Sequence, residues 1–151
     1  MNFYKLIGRI TKVKNAYAHC DIPCGIYDPI SAKIAAQTVL KMTIKIEASA
    51  NNPDANSLTR FIAAKEKHAE LVKHEIDILW HDYFKPEHLE KYPDLHTKVW
   101  NTTKLAASNK QNVDSKSAGQ LVDSVDEIAS IFWATKGVDY ADPVAKIRFG
   151  A

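Results

Sequence analysis

What most constrains this chain is the spacing of its apolar residues, which recur at intervals of three and four over long stretches, the period of a helix with one buried face. Between about Ser57 and Tyr83 the series Leu58, Ile62, Ala69, Val72, Ile76, Leu79 and Tyr83 marks one such face, with Lys65 as its single polar interruption. From about Ser117 to Lys136, Ala118, Leu121, Val125, Ile128 and Phe132 recur at spacings of 3, 4, 3 and 4, and Gly137 follows as a natural stop. Asp28-Pro29 is a helix start, because Asp accepts bonds from first-turn amides and Pro gives up an N–H that would have no partner there. That first helix is predicted to run to about Ser49 with Ala35, Val39, Met42 and Ile46 inward, until Asn51-Asn52-Pro53-Asp54 breaks the pattern. After a link punctuated by Pro86 and Pro93, a shorter helix from about Asp94 to Ala107 offers Leu95, Val99 and Ala106. Ser108 to Ser117 reads as a loop and residues 138–151 as a tail in which Pro143 opposes further helix. Four amphipathic segments and no convincing strand predict an all-α protein, an antiparallel up-down four-helix bundle.

Composition narrows the function classes. The 151 residues, 46% hydrophobic and 25% charged, suffice for one core and hardly for two. No apolar run approaches the roughly 20 residues a membrane span requires, so no membrane association is expected. The net charge of +2 conceals an asymmetry: residues 1–18 hold Lys5, Arg9, Lys12 and Lys14 and no acid, leaving 16 basic against 18 acidic side chains afterwards. A nearly neutral body lacks the clustered basic face that nucleic acid requires, and no nucleic-acid partner is expected.

The basic first segment ends in Ala16-Tyr17-Ala18, which looks like a small-residue cleavage site. It lacks the apolar stretch of about 7–15 residues that an export signal carries, since Gly8, Arg9, Thr11 and Lys12 interrupt its apolar residues. It reads as a removable leader of a cytoplasmic protein, with an ordinary N-terminal arm or organelle targeting as the alternatives. Immediately after it, His19-Cys20-Asp21-Ile22-Pro23-Cys24-Gly25-Ile26-Tyr27 gathers an imidazole, two thiols, a Pro, a Gly and a phenol in nine residues. Cys20 and Cys24 are the only two cysteines, and on spacing alone they are also readable as a local disulfide or as two incidental thiols. If the Ala18–His19 bond is hydrolysed, the new amine of His19, the deprotonated amide of Cys20 and the Cys20 thiolate can form fused chelate rings that Cys24 completes. Such a plane of two nitrogens and two sulfurs suits nickel(II) or copper(II), whereas zinc prefers a tetrahedron. Thiolates and an anionic amide donate enough electron density to favour nickel in a one-electron Ni(II)/Ni(III) cycle, with the His19 imidazole available as an axial donor.

At these residues a resemblance becomes specific. HCDIPCGIYDP resembles the amino-terminal nickel hook, HCxxPCGxYDP, of the nickel-containing superoxide dismutases. LWHDYFKPEHLEKYPDLH, Leu79 to His96, is similar to that family's segment around DYFKP and EKYP, and IFWATK, Ile131 to Lys136, to the end of its last helix. The resemblance implies disproportionation of superoxide to oxygen and hydrogen peroxide, a nickel ion as cofactor, a homohexamer, and a processing peptidase that cuts between Ala18 and His19. It assigns His19, Cys20 and Cys24 as nickel ligands with catalytic roles, Asp21, Tyr27 and Tyr83 as catalytic residues around the substrate pocket, and Lys85 as a nearby lysine. It also departs from the family pattern: Ala35 stands where members carry a Glu that orients the axial imidazole, and His68 where they carry an Arg.

The resulting division is a leader at 1–18, a nickel-hook and bundle domain at 19–137 and a tail at 138–151. His74, His81, His88 and His96 are expected on the surface or in packing, not in a second metal site, and Trp80, Trp100 and Trp133 as core or subunit-contact anchors. The alternative functions are a non-enzymatic metal-binding or thiol-redox protein using Cys20 and Cys24, and a plain helical interaction module.

Overall fold

A computed structural model describes residues 25–51 and 54–150, and among them every regular element is helical. In chain order these are α1 (Ile30–Ala48), α2 (Ala55–Ile78), a π-helical turn (Leu79–Tyr83), α3 (Pro86–Lys91), α4 (Leu95–Gln111), α5 (Ser115–Thr135) and α6 (Ala145–Phe149).

The four long helices pack as a ring, α1 on α2, α2 on α4, α4 on α5 and α5 back on α1. Contacts between their ends show that neighbours run antiparallel. Glu47 at the end of α1 accepts the Ser115 N–H at the start of α5 (2.8 Å), His96 near the start of α4 meets Trp80 just past α2 (ring centroids 5.5 Å), and Lys98 pairs with Glu127 late in α5. The all-α, up-down four-helix bundle expected from periodicity is the observed one.

The stripes on α4 and α5 are buried as expected: Leu95, Val99, Ala106, Ala118, Leu121, Val125, Ile128 and Phe132 form the core with Ala69, Val72 and Ile76 of α2. Full burial of a side chain such as Phe132 contributes about 1.5–3 kcal/mol. On α1 the buried face is rotated. Ala32, Ala35, Ala36, Val39 and Thr43 face inward while Met42 and Ile46 are only partly covered, because small residues let α1 lie close against two neighbours.

Other expectations are corrected. Helix α1 begins at Ile30, and the Asp28 carboxylate accepts the Ile30 N–H (2.8 Å). Helix α2 begins at Ala55, capped by Asp54, whose carboxylate accepts the Ser57 N–H (3.0 Å). Ile62 is 37% exposed and Lys65, the apparent interruption, is 2% exposed. The Lys65 ammonium donates to the carbonyls of Asn109 (2.7 Å), Lys110 (3.1 Å) and Asn112 (2.7 Å), so it satisfies the end of α4 that a helix leaves without partners. Helix α4 therefore continues to Gln111, and the expected loop from Ser108 to Ser117 shrinks to residues 112–114. Beyond Gly137 the chain also returns to helix in α6, because Pro143 precedes the helix and sits where no N–H is needed. This segment is clasped to α1: Arg148 binds Asp142 through two nitrogens (both 2.8 Å) and Gln37 (3.0 Å), and Lys41 donates to the Phe149 carbonyl (3.0 Å).

Candidate functional site

Antiparallel packing brings the start of α1, the end of α2 and the end of α5 to one end of the bundle, and the cleft there is where the cysteine-bearing segment joins the fold. Gly25 adopts φ +68°, a left-handed conformation that glycine takes without the penalty other residues meet, and it turns the chain immediately after Cys24. Two residues later Tyr27 lies beside Tyr83, with ring centroids 5.4 Å apart and planes tilted by 55°. A cleft of about 740 Å³ opens here, lined by Gly25, Tyr27, the run from His81 to Lys85, and His88.

Tyr83 reaches this position through a change of helix type. The Phe84 N–H bonds to the Leu79 carbonyl five residues back (2.9 Å), so the apolar series of α2 holds its register only to Leu79 and the wider turn re-aims Tyr83. Such single wide turns recur at functional sites. The Tyr83 ring is held from several sides: Phe132 at 4.5 Å, Phe84 edge-on at 5.3 Å, and the imidazole of His88 stacked at 5.6 Å with 18° between planes. Lys136 places its ammonium 5.1 Å from the centre of the Tyr83 ring. The Tyr83 oxygen lies 2.6 Å from Thr135 Oγ1, and the Tyr27 hydroxyl donates to the Asp82 carbonyl at 3.4 Å.

Of the residues singled out in the sequence, Tyr27, Tyr83 and Lys85 meet at this cleft, with Lys85 exposed at its rim. His19, Cys20, Asp21 and Cys24 lie outside the described residues. Ala35 is 1% exposed within the core, where its methyl group offers no hydrogen bond to an imidazole. His68 engages the Ala64 carbonyl through Nδ1 (2.7 Å). Among the histidines expected in packing or on the surface, His88 does pack, but within the cleft: its Nδ1 accepts the Lys85 N–H (3.2 Å) while its ring covers Tyr83. Trp80 and Trp133 pack against the core and Trp100 is 55% exposed. Sequence reasoning missed Thr135, Phe132 and His88 as neighbours of Tyr83; the IFWATK segment contained two of them without any sign of what they touch.

The donor set available to a metal fits nickel chemically. The imidazole of His19 and the thiols of Cys20 and Cys24 are donors that favour a softer transition metal over the hard cations that take oxygen ligands, and the turn at Gly25 follows directly on Cys24 in the sequence at a cleft walled by two phenols. Among the described residues no group of three or more His, Cys, Asp or Glu could hold a metal ion, and no helix is long and apolar enough to cross a membrane.

Comparison with known proteins agrees with this geometry. The profile of the nickel-containing superoxide dismutases matches residues 14–136. The chain is 44% identical over 119 residues to the superoxide dismutase [Ni] of Streptomyces coelicolor, an overlap of 79% of this chain and 88% of that protein. The superoxide dismutase [Ni] of Streptomyces seoulensis gives the same identity and coverage. A native nickel superoxide dismutase structure superposes with a TM-score of 0.72 at 43% identity, covering 80% of this chain and all of that one. A structure with nickel ligation of the oxidised state gives a TM-score of 0.71 at 42% identity, with the same coverage. With the profile spanning both the cysteine-bearing segment and the bundle, the chain belongs to the nickel-containing superoxide dismutase family.

Proposed function

We propose that this nickel-dependent superoxide dismutase is made as a precursor and becomes active when a peptidase cuts between Ala18 and His19. Residues 1–18 are then the leader, 19–137 the hook and bundle, and 138–151 the tail, which straps α1 through Arg148 and Phe149. His19, Cys20 and Cys24 hold the nickel ion, through the new amine, the Cys20 amide and the two thiolates. When bound, the metal supplies a one-electron couple between Ni(II) and Ni(III), through which two superoxide anions and two protons become oxygen and hydrogen peroxide. In the uncut chain His19 presents a peptide nitrogen in place of an amine, so the leader withholds one donor.

The protein's own groups shape the approach to that centre. Tyr27 and Tyr83 wall the cleft and order water in it, Asp21 follows Cys20 directly in the sequence, and the exposed ammonium of Lys85 at the rim attracts a small anion. With Ala35 buried in the core and His68 turned to its own helix, neither residue would support the His19 imidazole as the Glu and Arg of the family pattern would. The enzyme works as a cytoplasmic homohexamer, and exposed Trp100 offers an anchor for subunit contact.

The observation that carries this reading is the pairing of Tyr27 with Tyr83 at the point where the chain emerges from Cys24. The test compares cut and uncut protein by intact mass, metal content and superoxide consumption. The cut form is expected to hold one nickel per chain and to destroy superoxide, and the uncut form to do neither. Equal activity in both, or zinc retained by four side chains, refutes the mechanism.

A further inference from the structure

The hydrogen bonds behind Tyr83 determine which way its hydroxyl proton points. The Thr135 hydroxyl lies 2.6 Å from the Phe132 carbonyl oxygen. A carbonyl can only accept, so Thr135 spends its single hydrogen there. Toward the Tyr83 oxygen, also 2.6 Å away, Thr135 Oγ1 then has only lone pairs to offer, and the phenol must be the donor. The chain Tyr83 O–H to Thr135 O–H to the Phe132 carbonyl therefore runs in one direction.

We propose that Thr135 is a positioning residue that keeps the Tyr83 proton turned away from the cleft, so that Tyr83 presents lone pairs to it. This rests on the reading that the cleft receives superoxide. A phenol so held accepts a hydrogen bond from water and does not donate one to an anion. Water donating one hydrogen to Tyr83 has its second hydrogen available for the substrate, so Tyr83 orients a proton carrier and is not itself the proton source in the resting state. The ring cannot readily turn to change this, because Phe132 and the stacked His88 confine it and Lys136 lies over it.

Two substitutions separate the roles of Thr135. Thr135→Val keeps its shape without the hydroxyl, and Thr135→Ser restores the hydroxyl. On the metal-free full chain, the intensity ratio of the tyrosine Raman doublet distinguishes a donating phenol from an accepting one, with Tyr83→Phe identifying the signal of this residue. A donor-type ratio is expected in the natural protein and in Thr135→Ser, and loss of it in Thr135→Val. On the processed, nickel-loaded enzyme kcat/KM is expected to fall about fivefold to tenfold in Thr135→Val and to recover in Thr135→Ser, at equal nickel content and melting temperature. An unchanged doublet in Thr135→Val overturns the proposal whatever the activity. A shifted doublet with equal activity in all four proteins upholds the direction of the bond and overturns the cleft as the place of reaction.

Discussion

Lys65→Met removes an ammonium from the interior while keeping the apolar stem, and its effect follows from three distances. The ammonium lies 2.7, 3.1 and 2.7 Å from the carbonyls of Asn109, Lys110 and Asn112, and the residue is 2% exposed. Bonds to a charged group contribute about 1.5–3 kcal/mol each, so their gross value is roughly 5–9 kcal/mol, against several kcal/mol for desolvating the ammonium. The methionine variant also leaves three carbonyls at the end of α4 without that donor, and the net loss is expected to be about 3 kcal/mol. For a chain of this length that corresponds to about 6–12 °C in melting temperature. Thermal unfolding of the metal-free chain at fixed concentration, followed by circular dichroism, measures it, and a shift under about 2 °C refutes the reasoning. A pH series adds an independent check. Burial pushes the Lys65 ammonium below its ordinary value of 10.5, partly opposed by the charge of Glu66. Between the lowered folded value and 10.5 the unfolded chain binds more protons than the folded one, so stability relative to the methionine variant should rise with pH across that window and level off above it. A gap that narrows there contradicts desolvation as the dominant effect.

Two further predictions concern the ends of the bundle. Gly25→Ala places a side chain at φ +68°, which costs about 1–2 kcal/mol, so the processed protein should lose nickel to a competing chelator at roughly tenfold lower chelator concentration and, loaded with nickel, should melt about 2–8 °C lower; equal retention would mean that the turn does not shape the hook. Arg148→Ala removes the bonds to Asp142 and Gln37 and should destabilise the metal-free chain by about 1–3 kcal/mol in urea unfolding. Arg148 holds the Asp142 carboxyl below its ordinary value of 3.8, so that contribution is fully present above this pH and is lost as pH falls through the lower folded value. The two proteins should converge in acid, and a constant difference would show that the ion pair is not the source.

How much was legible in the sequence depends on the range over which each feature acts. The stripe Ala118, Leu121, Val125, Ile128 and Phe132 could be read directly because burial of one helix face imposes its period on a single continuous segment. On α1 the same reasoning picked Met42 and Ile46 over Ala32 and Ala36, since apolar size does not say how closely two neighbours will approach. Lys65 looked like a break in a face because the carbonyls that bind it lie 44–47 positions along the chain. The strap at residues 138–150 was read as a tail because its partners, Gln37 and Lys41, belong to another helix.

By itself the sequence determined the helical period, the antiparallel order that short links impose, and a donor set in which His19, Cys20 and Cys24 are neighbours along the backbone. These are short-range properties, encoded by which residues follow one another. Tertiary structure alone decided that Tyr83 leaves the α2 register through a π turn, meets Tyr27, 56 positions earlier in the chain, with rings 5.4 Å apart, and donates its hydrogen bond to Thr135. Those contacts exist only once the helices have docked, because the direction of a hydrogen bond between distant side chains is set by the third group that has already claimed one of their hydrogens.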